Sequence, residues 1–140
     1  MKSTEIRTKQ RILIVDDSEM NRAILADMLG EGYEILEAEN GLEAVAYLKK
    51  LTTNIDLLLL DIMMPLMDGY EATRQIRKLD RTDASSIPII ALTANAFAED
   101  VRHALDCGMN AHLAKPLDVE KMIHTIACYC SRVCIAHCKK

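Results

Sequence analysis

Five side chains in this sequence carry groups that belong together chemically: the adjacent pair Asp16 and Asp17, then Asp61, Thr93 and Lys115. Each closes or directly follows a short apolar run. Carboxylates brought within a few ångströms repel one another unless a cation joins them. Oxygen-only ligands at a solvent-reachable edge suit Mg²⁺, which keeps several waters and takes one or two carboxylates together with phosphate oxygens. A hydroxyl at Thr93 and the compact ammonium of Lys115 suit those same oxygens. A carboxylate is also a competent nucleophile toward phosphorus, and metal and lysine together can neutralise the resulting acyl phosphate. Asp61 is the prime candidate for that nucleophile, because it ends the most apolar stretch of the chain.

That stretch, Ile55-Asp56-Leu57-Leu58-Leu59-Leu60-Asp61, has no helical spacing and reads as a strand buried on both faces. A strand covered on both sides cannot hide an unpaired charge, so Asp61 is expected at its carboxyl end, where open α/β sheets keep their sites. Arg11 to Val15 reads as the first strand and Tyr33 to Ala38 as a more polar edge strand. Pro88 to Leu92 is the fourth, finishing on Thr93, and a short fifth runs from Ala111 to Leu113 ahead of Lys115-Pro116. Helices are expected between them. The first is capped by Ser18 and carries Met20, Ile24, Leu25, Met28 and Leu29 inward. The second runs from an Asn40/Glu43 capping box to Leu51, with Leu42, Val45, Ala46 and Leu48 inward. The others run from Gly69 to Leu79, from Ala98 to Cys107, and from Asp118 onward, the last carrying Val119, Met122, Ile123, Ile126 and Ala127 and extending beyond Cys134. Five strands alternating with five helices imply an α/β fold: a doubly wound parallel sheet with helices on both faces. Its site falls where strand order reverses, outside the ends of the first and third strands. Those are the strands that end in aspartates.

Length and composition narrow the function. The 140 residues fit one domain, half of them are hydrophobic, and the net charge of −4 with no basic run argues against a nucleic-acid surface. Residues 1–10 form a polar lead-in to a domain spanning 11–140, no stretch is apolar enough to span a membrane, and the location expected is cytoplasmic. Four of the five cysteines crowd into Cys128, Cys130, Cys134 and Cys138. One helical stripe cannot wrap four thiolates around an ion, so reduced, hydrophobe-like thiols are expected in preference to a metal site. The helical methionines read as core filler, whereas Met63 and Met67 lie beside the site, where they are expected to face a phosphodonor.

An Asp-Asp pair ahead of a helix is ordinarily a cap and a surface charge, and one threonine or one lysine means less. The coincidence of four strands ending in the groups that phosphoryl chemistry needs is what selects the functional reading. Asp16-Asp17, the run Asp61 to Gly69 (DIMMPLMDG), Thr93-Ala94 and Lys115-Pro116 together resemble the receiver domain of two-component response regulators, over roughly Arg11 to Ala127. The resemblance implies strand order 2-1-3-4-5. It also implies phosphate acceptance on Asp61 from a histidine kinase or a histidine phosphotransfer protein, with Mg²⁺ held by Asp17, Asp61 and the backbone carbonyl of Met63 and with Asp16 acting mainly through water. Thr93 would move toward the phosphoryl group, and Lys115 would pair with it ahead of a cis peptide to Pro116. The transfer would be self-catalysed, followed only by slow autodephosphorylation, with no turnover of a metabolite. Output would leave through the fourth helix, fifth strand and fifth helix, a face that also serves for homodimers.

One position departs from the family pattern. Where receivers carry Tyr or Phe three residues before the lysine, this chain has His112. Either the imidazole is the switch ring, in which case protonation below about pH 6 opposes its inward packing, or it is an ordinary surface group. A haloacid-dehalogenase-like phosphatase would need an acid where Met63 stands, and a flavodoxin-like cofactor binder would need a phosphate-cradling loop where two acids stand. The remaining rival is a degenerate receiver that serves as an unphosphorylated interaction scaffold. The wording around Met63 to Thr73 and the His112 variant resemble the receivers of hybrid sensor kinases.

Overall fold

The computed structural model describes residues 9–50, 54–80, 85–94 and 98–130. In chain order these form β1 (Gln10–Val15), α1 (Glu19–Leu29), a short 3₁₀ turn (Gly30–Gly32), β2 (Tyr33–Ala38), α2 (Gly41–Lys49), β3 (Leu57–Asp61), α3 (Gly69–Arg77), β4 (Ile89–Thr93), α4 (Ala98–Cys107), β5 (Ala111–Ala114) and α5 (Val119–Cys130). The five strands pair in parallel in the order β2-β1-β3-β4-β5, as expected. β1 is flanked by β2 and β3, and the reversal of strand order falls between β1 and β3.

Alternation within the buried strands explains why both faces must be covered. Leu13, Val15, Leu58, Leu60, Ile89 and Ala91 point to one side, where Ala44, Val45 and Leu48 of α2, Ala72 and Ile76 of α3 and Ala104 of α4 pack on them. Ile12, Ile14, Leu57, Leu59, Ile90 and Leu92 point to the other, against Leu25 and Leu29 of α1 and Met122 and Ile126 of α5. The four leucines of β3 are fully buried, and at roughly 2 kcal/mol each they contribute on the order of 8 kcal/mol of burial. That is enough to seat a poorly solvated carboxylate at the end of the same strand.

Side-chain caps fix where four helices begin. Ser18 Oγ accepts from Asn21 N–H (3.2 Å), Asn40 Oδ1 from Glu43 N–H (2.9 Å), Asp68 Oδ1 from Glu71 N–H (2.9 Å) and Asp118 Oδ1 from Lys121 N–H (3.2 Å). The Glu43 carboxylate returns to the backbone N–H of Glu39, one residue ahead of the expected box partner. Gly30, at φ +70°, ends α1.

Several inward assignments are corrected. Met20 and Ile24 are 72% and 51% exposed, so α1 buries a narrower stripe than its apolar content suggests. Leu42 is 51% exposed and Ala46 is exposed, because α2 turns Ala44, Val45 and Leu48 to the sheet instead. Val119 is 45% exposed at the first turn of α5. α2 ends at Lys49 and α3 at Arg77, each short of the expected boundary, and β1 begins one residue earlier, at Gln10. The expected extension of α5 past Cys134, and the Cys134 and Cys138 thiols, lie outside the described residues. Cys107 is a free thiol, as expected, but Cys128 is disulfide-bonded.

Candidate functional site

The carboxyl ends of β1, β3, β4 and β5 meet at one edge of the sheet. Backbone bonds carried past the strand ends hold that edge in register: Asp16 N–H donates to Ala38 O (3.1 Å), Ile62 N–H to Leu92 O (3.3 Å) and Lys115 N–H to Thr93 O (2.8 Å). One carboxylate oxygen from each of Asp16, Asp17 and Asp61 lies within 4.8 Å of the others. Lys115 extends its ammonium to the same place, with Nζ 3.5 Å from Asp61 Oδ1 and 3.9 Å from Asp16 Oδ2. Asp16, Asp61 and Thr93 are buried, Lys115 is about one-third exposed, and Asp17 faces solvent.

The electrostatics of this mouth are frustrated. Burial raises the Asp61 carboxyl above the usual carboxylate range. The Lys115 ammonium opposes that shift, the Asp16 charge adds to it, and the Met63 backbone N–H lowers it again. Asp16 Oδ2 is buried and accepts no hydrogen bond. Its cation neighbour is the Lys115 ammonium at 3.9 Å, beyond hydrogen-bond range, and a buried carboxylate oxygen held that loosely is costly unless a further cation shares it. Three carboxylate oxygens at this spacing fit a hard divalent ion.

The loop after Asp61 is shaped by two close approaches. A Cβ on Gly69 would come within 2.7 Å of the Asp61 carbonyl oxygen, and one on Gly41 within 2.7 Å of the Met67 carbonyl oxygen. Only hydrogen fits at either position. Gly69 N–H also donates to Ile62 O (2.9 Å), so α3 starts against the backbone of Asp61 and Ile62. Between them Leu66 takes φ +71°, with Met67 N–H bonded to Pro65 O (2.7 Å). That tight turn is unusual for a branched residue and turns the Leu66 side chain outward, 80% exposed.

The family model of the response regulator receiver domain matches residues 12–127. The chain belongs to this family. It is therefore a receiver domain of the two-component and phosphorelay type. The sensor histidine kinase RcsC of Salmonella typhi is 40% identical to it over 133 residues, covering 94% of this chain and 13% of that protein. The receiver thus spans only about an eighth of that relative's length. The sensor protein EvgS of Escherichia coli K12 is 43% identical over 113 residues, 80% of this chain and 9% of its own length. Among solved structures, the receiver domain of the sensor histidine kinase PA1611 from Pseudomonas aeruginosa PAO1 superposes with a TM-score of 0.76 at 35% identity, covering 86% of this chain and 97% of that one, and it holds a magnesium ion in its active site cleft. The receiver domain of Ssk1 from Saccharomyces cerevisiae, crystallised with the histidine phosphotransfer protein Ypd1, superposes at 0.79 with 31% identity, covering 90% and 92%.

Every residue singled out in the sequence for phosphoryl chemistry lies at the carboxyl edge of this receiver's sheet. Lys115-Pro116 is cis, as the resemblance implies. His112 sits half-buried on β5, opposite Ala91 in register. Met63 is 75% exposed, whereas Met67 is half-buried and packs on the core, a correction to its expected outward role. A cleft of about 330 Å³ opens beside the acids, lined by Asp16, Asn21, Ile24, Leu25, Met28, Lys115, Pro116 and Leu117. Its apolar wall was hidden in the sequence because Ile24 and Met28 fit a core-facing stripe equally well. No helix among the described residues is long and apolar enough to cross a membrane.

Proposed function

We propose that Asp61 accepts a phosphoryl group from a histidine kinase or a histidine phosphotransfer protein in a Mg²⁺-dependent reaction on the cytoplasmic side, and that this acyl phosphate switches the domain between output states. The observation that carries this reading is the buried Asp61 carboxylate, with Lys115 Nζ 3.5 Å from its Oδ1 and with the Asp16 and Asp17 oxygens in ligand range.

In the transfer, an Asp61 oxygen forms the new bond to phosphorus while the bond from phosphorus to the donor's imidazole nitrogen breaks, its electron pair returning to that ring. Asp16, Asp17, Asp61 and the Met63 carbonyl would hold Mg²⁺, which supplies charge neutralisation for the transferring group. Lys115 neutralises a second phosphoryl oxygen, and the Thr93 hydroxyl donates to a third. Paired in that way, Lys115 and Thr93 draw β4 and β5 toward the new charge, and the change passes to α4, β5 and α5. Leu105 and Val119 are about half exposed on the helices of that face, an apolar contribution to an output partner or a second copy. His112, on the strand between them, is the proposed switch ring.

Acetyl phosphate with Mg²⁺ is expected to add one phosphoryl group to the intact mass, and a chelator is expected to prevent it. A parent protein that gains no mass would leave the rival reading, an unphosphorylated scaffold, in its place.

The donor is proposed to seat on exposed apolar side chains around the mouth: Ile24, which lines the cleft, Met20 one turn earlier on α1, and Leu66 in the loop after Asp61. Support comes from the exposure of these side chains, with Ile24 in the same cleft as Asp16 and Lys115, and from the yeast receiver seen with a phosphotransfer protein. A phosphotransfer domain that phosphorylates the parent should act about tenfold more slowly on the double variant Met20→Ser/Ile24→Ser, the effect of losing apolar anchors. Labelling by acetyl phosphate should not change. Equal rates with both donors on parent and variant would remove this seat.

A further inference from the structure

Asp16 has four polar groups, and three are committed away from the mouth. Its N–H donates to Ala38 O of β2 (3.1 Å), its Oδ1 accepts from Ser18 N–H (2.9 Å), and its carbonyl oxygen accepts from Arg22 Nη1 (2.7 Å). Only Oδ2 is left without a hydrogen bond. Arg22 is itself anchored, since its Nε donates to Glu37 Oε1 of β2 at 2.8 Å and its side chain is only 12% exposed. The guanidinium therefore reaches back from α1 over the end of β1 and ties the Asp16 carbonyl to the edge strand.

That carbonyl belongs to the peptide joining Asp16 to Asp17, so its direction sets the orientation of Asp17 relative to Asp16. We infer that Arg22 is a positioning residue of the acidic mouth: by holding the Asp16 carbonyl, it fixes the Asp16–Asp17 peptide so that both carboxylates meet Asp61 around one divalent ion. The inference rests on the metal reading proposed above. A bare cation so close to a cation site would oppose the ion. Here Glu37 is bonded to the guanidinium, and Glu39 and Glu19 lie within electrostatic range, so Arg22 orients the acids at little Coulomb cost. The planar guanidinium matters as well, because its donors, fixed in one plane but pointing different ways, serve a carbonyl and a carboxylate at once, which a lysine ammonium does less well.

The test is Mg²⁺ titration of the full chain, followed through backbone amide shifts. Arg22→Met keeps the apolar stem and is expected to weaken Mg²⁺ binding about tenfold, the scale seen when a group supporting a metal ligand is lost. Arg22→Lys should fall between parent and Arg22→Met. Glu37→Gln keeps an acceptor for Nε but leaves the guanidinium charge uncompensated, so Mg²⁺ affinity should fall and should decline less with added salt than in the parent, because salt also screens the new repulsion. A merely structural contact at Arg22 would lower the melting temperature of Arg22→Met and leave its Mg²⁺ affinity unmoved. An Arg22→Met protein that binds Mg²⁺ within about twofold of the parent, well below the expected scale, overturns the inference. So does a Glu37→Gln protein with the parent's salt dependence. A parent that binds no Mg²⁺ overturns the metal reading as well, whereas a binding parent with an indifferent Arg22→Met overturns the positioning role alone.

Discussion

Asp61→Asn is expected to abolish phosphoryl acceptance and, in the metal-free protein, to raise thermal stability. Replacing the carboxylate with an amide of the same shape removes the nucleophile, so acetyl phosphate with Mg²⁺ should leave the mass unchanged. The stability gain follows from the site's electrostatics. Burial, the leading cause, lifts the folded-state carboxyl above its ordinary value of 3.8, and Asp16 adds to the shift while Lys115 counters it. A carboxyl raised on folding takes up protons that the unfolded chain has released. Its contribution is then fully present below that ordinary value and is lost as pH rises through the higher folded-state one. Near neutral pH the ionised Asp61 is a net cost, which the amide removes. Melting curves in chelator should place the variant above the parent near neutral pH, with the gap closing toward about pH 4, where the parent's carboxyl is itself protonated. Added Mg²⁺ should favour the parent more, because a ligand stabilises a fold in proportion to its affinity for it. A variant that melts below the parent in chelator at neutral pH, or that still gains phosphate, would contradict the account of the mouth given above.

The same electrostatics explain which parts of the site were legible in the sequence. A run of four leucines ending in an acid has few structural solutions, and the aspartates ending the runs before α1 and α3 define the sheet edge once the strands are parallel. Ser18, Asn40 and Asp118 announce their helices because their side chains satisfy backbone donors locally, within three residues. Arg22 was silent because Glu37, which anchors it over the Asp16 carbonyl, is brought to it only by pairing of β1 with β2. Gly69 was legible as a turn residue, but not as the point where a helix must approach the Asp61 backbone. The exposure of Met20, Ile24 and Leu42 was misread because helical periodicity identifies an apolar stripe without saying how wide a stripe the sheet will cover. Residues whose role is local, or that end a strand at the shared edge, could be placed from sequence, whereas side chains that reach across to a neighbouring strand could not.

Distant partnership is also why the largest stability effect is expected at a residue remote from the chemistry. Arg77, at the end of α3, donates from Nε and Nη2 to Gly108 O (2.9 and 2.6 Å), from Nη1 to Ser85 O (3.0 Å) and Ile87 O (2.6 Å), and from Nη2 to Asn110 Oδ1 (2.8 Å). Asn110 Oδ1 in turn accepts from Ile89 N–H at 2.8 Å, so a single guanidinium joins the C-terminal end of α3 to the entries of β4 and β5. Gly108, at φ +111°, is shaped to this contact, since a Cβ there would stand 3.0 Å from Arg77 Cγ. Burial lowers the Arg77 pKa, yet the group stays charged at any ordinary pH. Truncation to alanine would leave three carbonyl oxygens short of a donor and remove the stem that Gly108 packs on. At about 1 kcal/mol or more for each such loss, Arg77→Ala should cost about 3 kcal/mol. For a domain of this size that corresponds to a fall in Tm of roughly 10 °C. Arg77→Lys should recover little, because one ammonium cannot span the separate acceptors that the fork reaches. Because the network lies at the amino ends of the strands, Arg77→Ala protein held well below its Tm should retain the parent's Mg²⁺ affinity and phosphate acceptance. A loss of Mg²⁺ binding without a loss of Tm would show that the two ends of the sheet are coupled in a way this network does not explain.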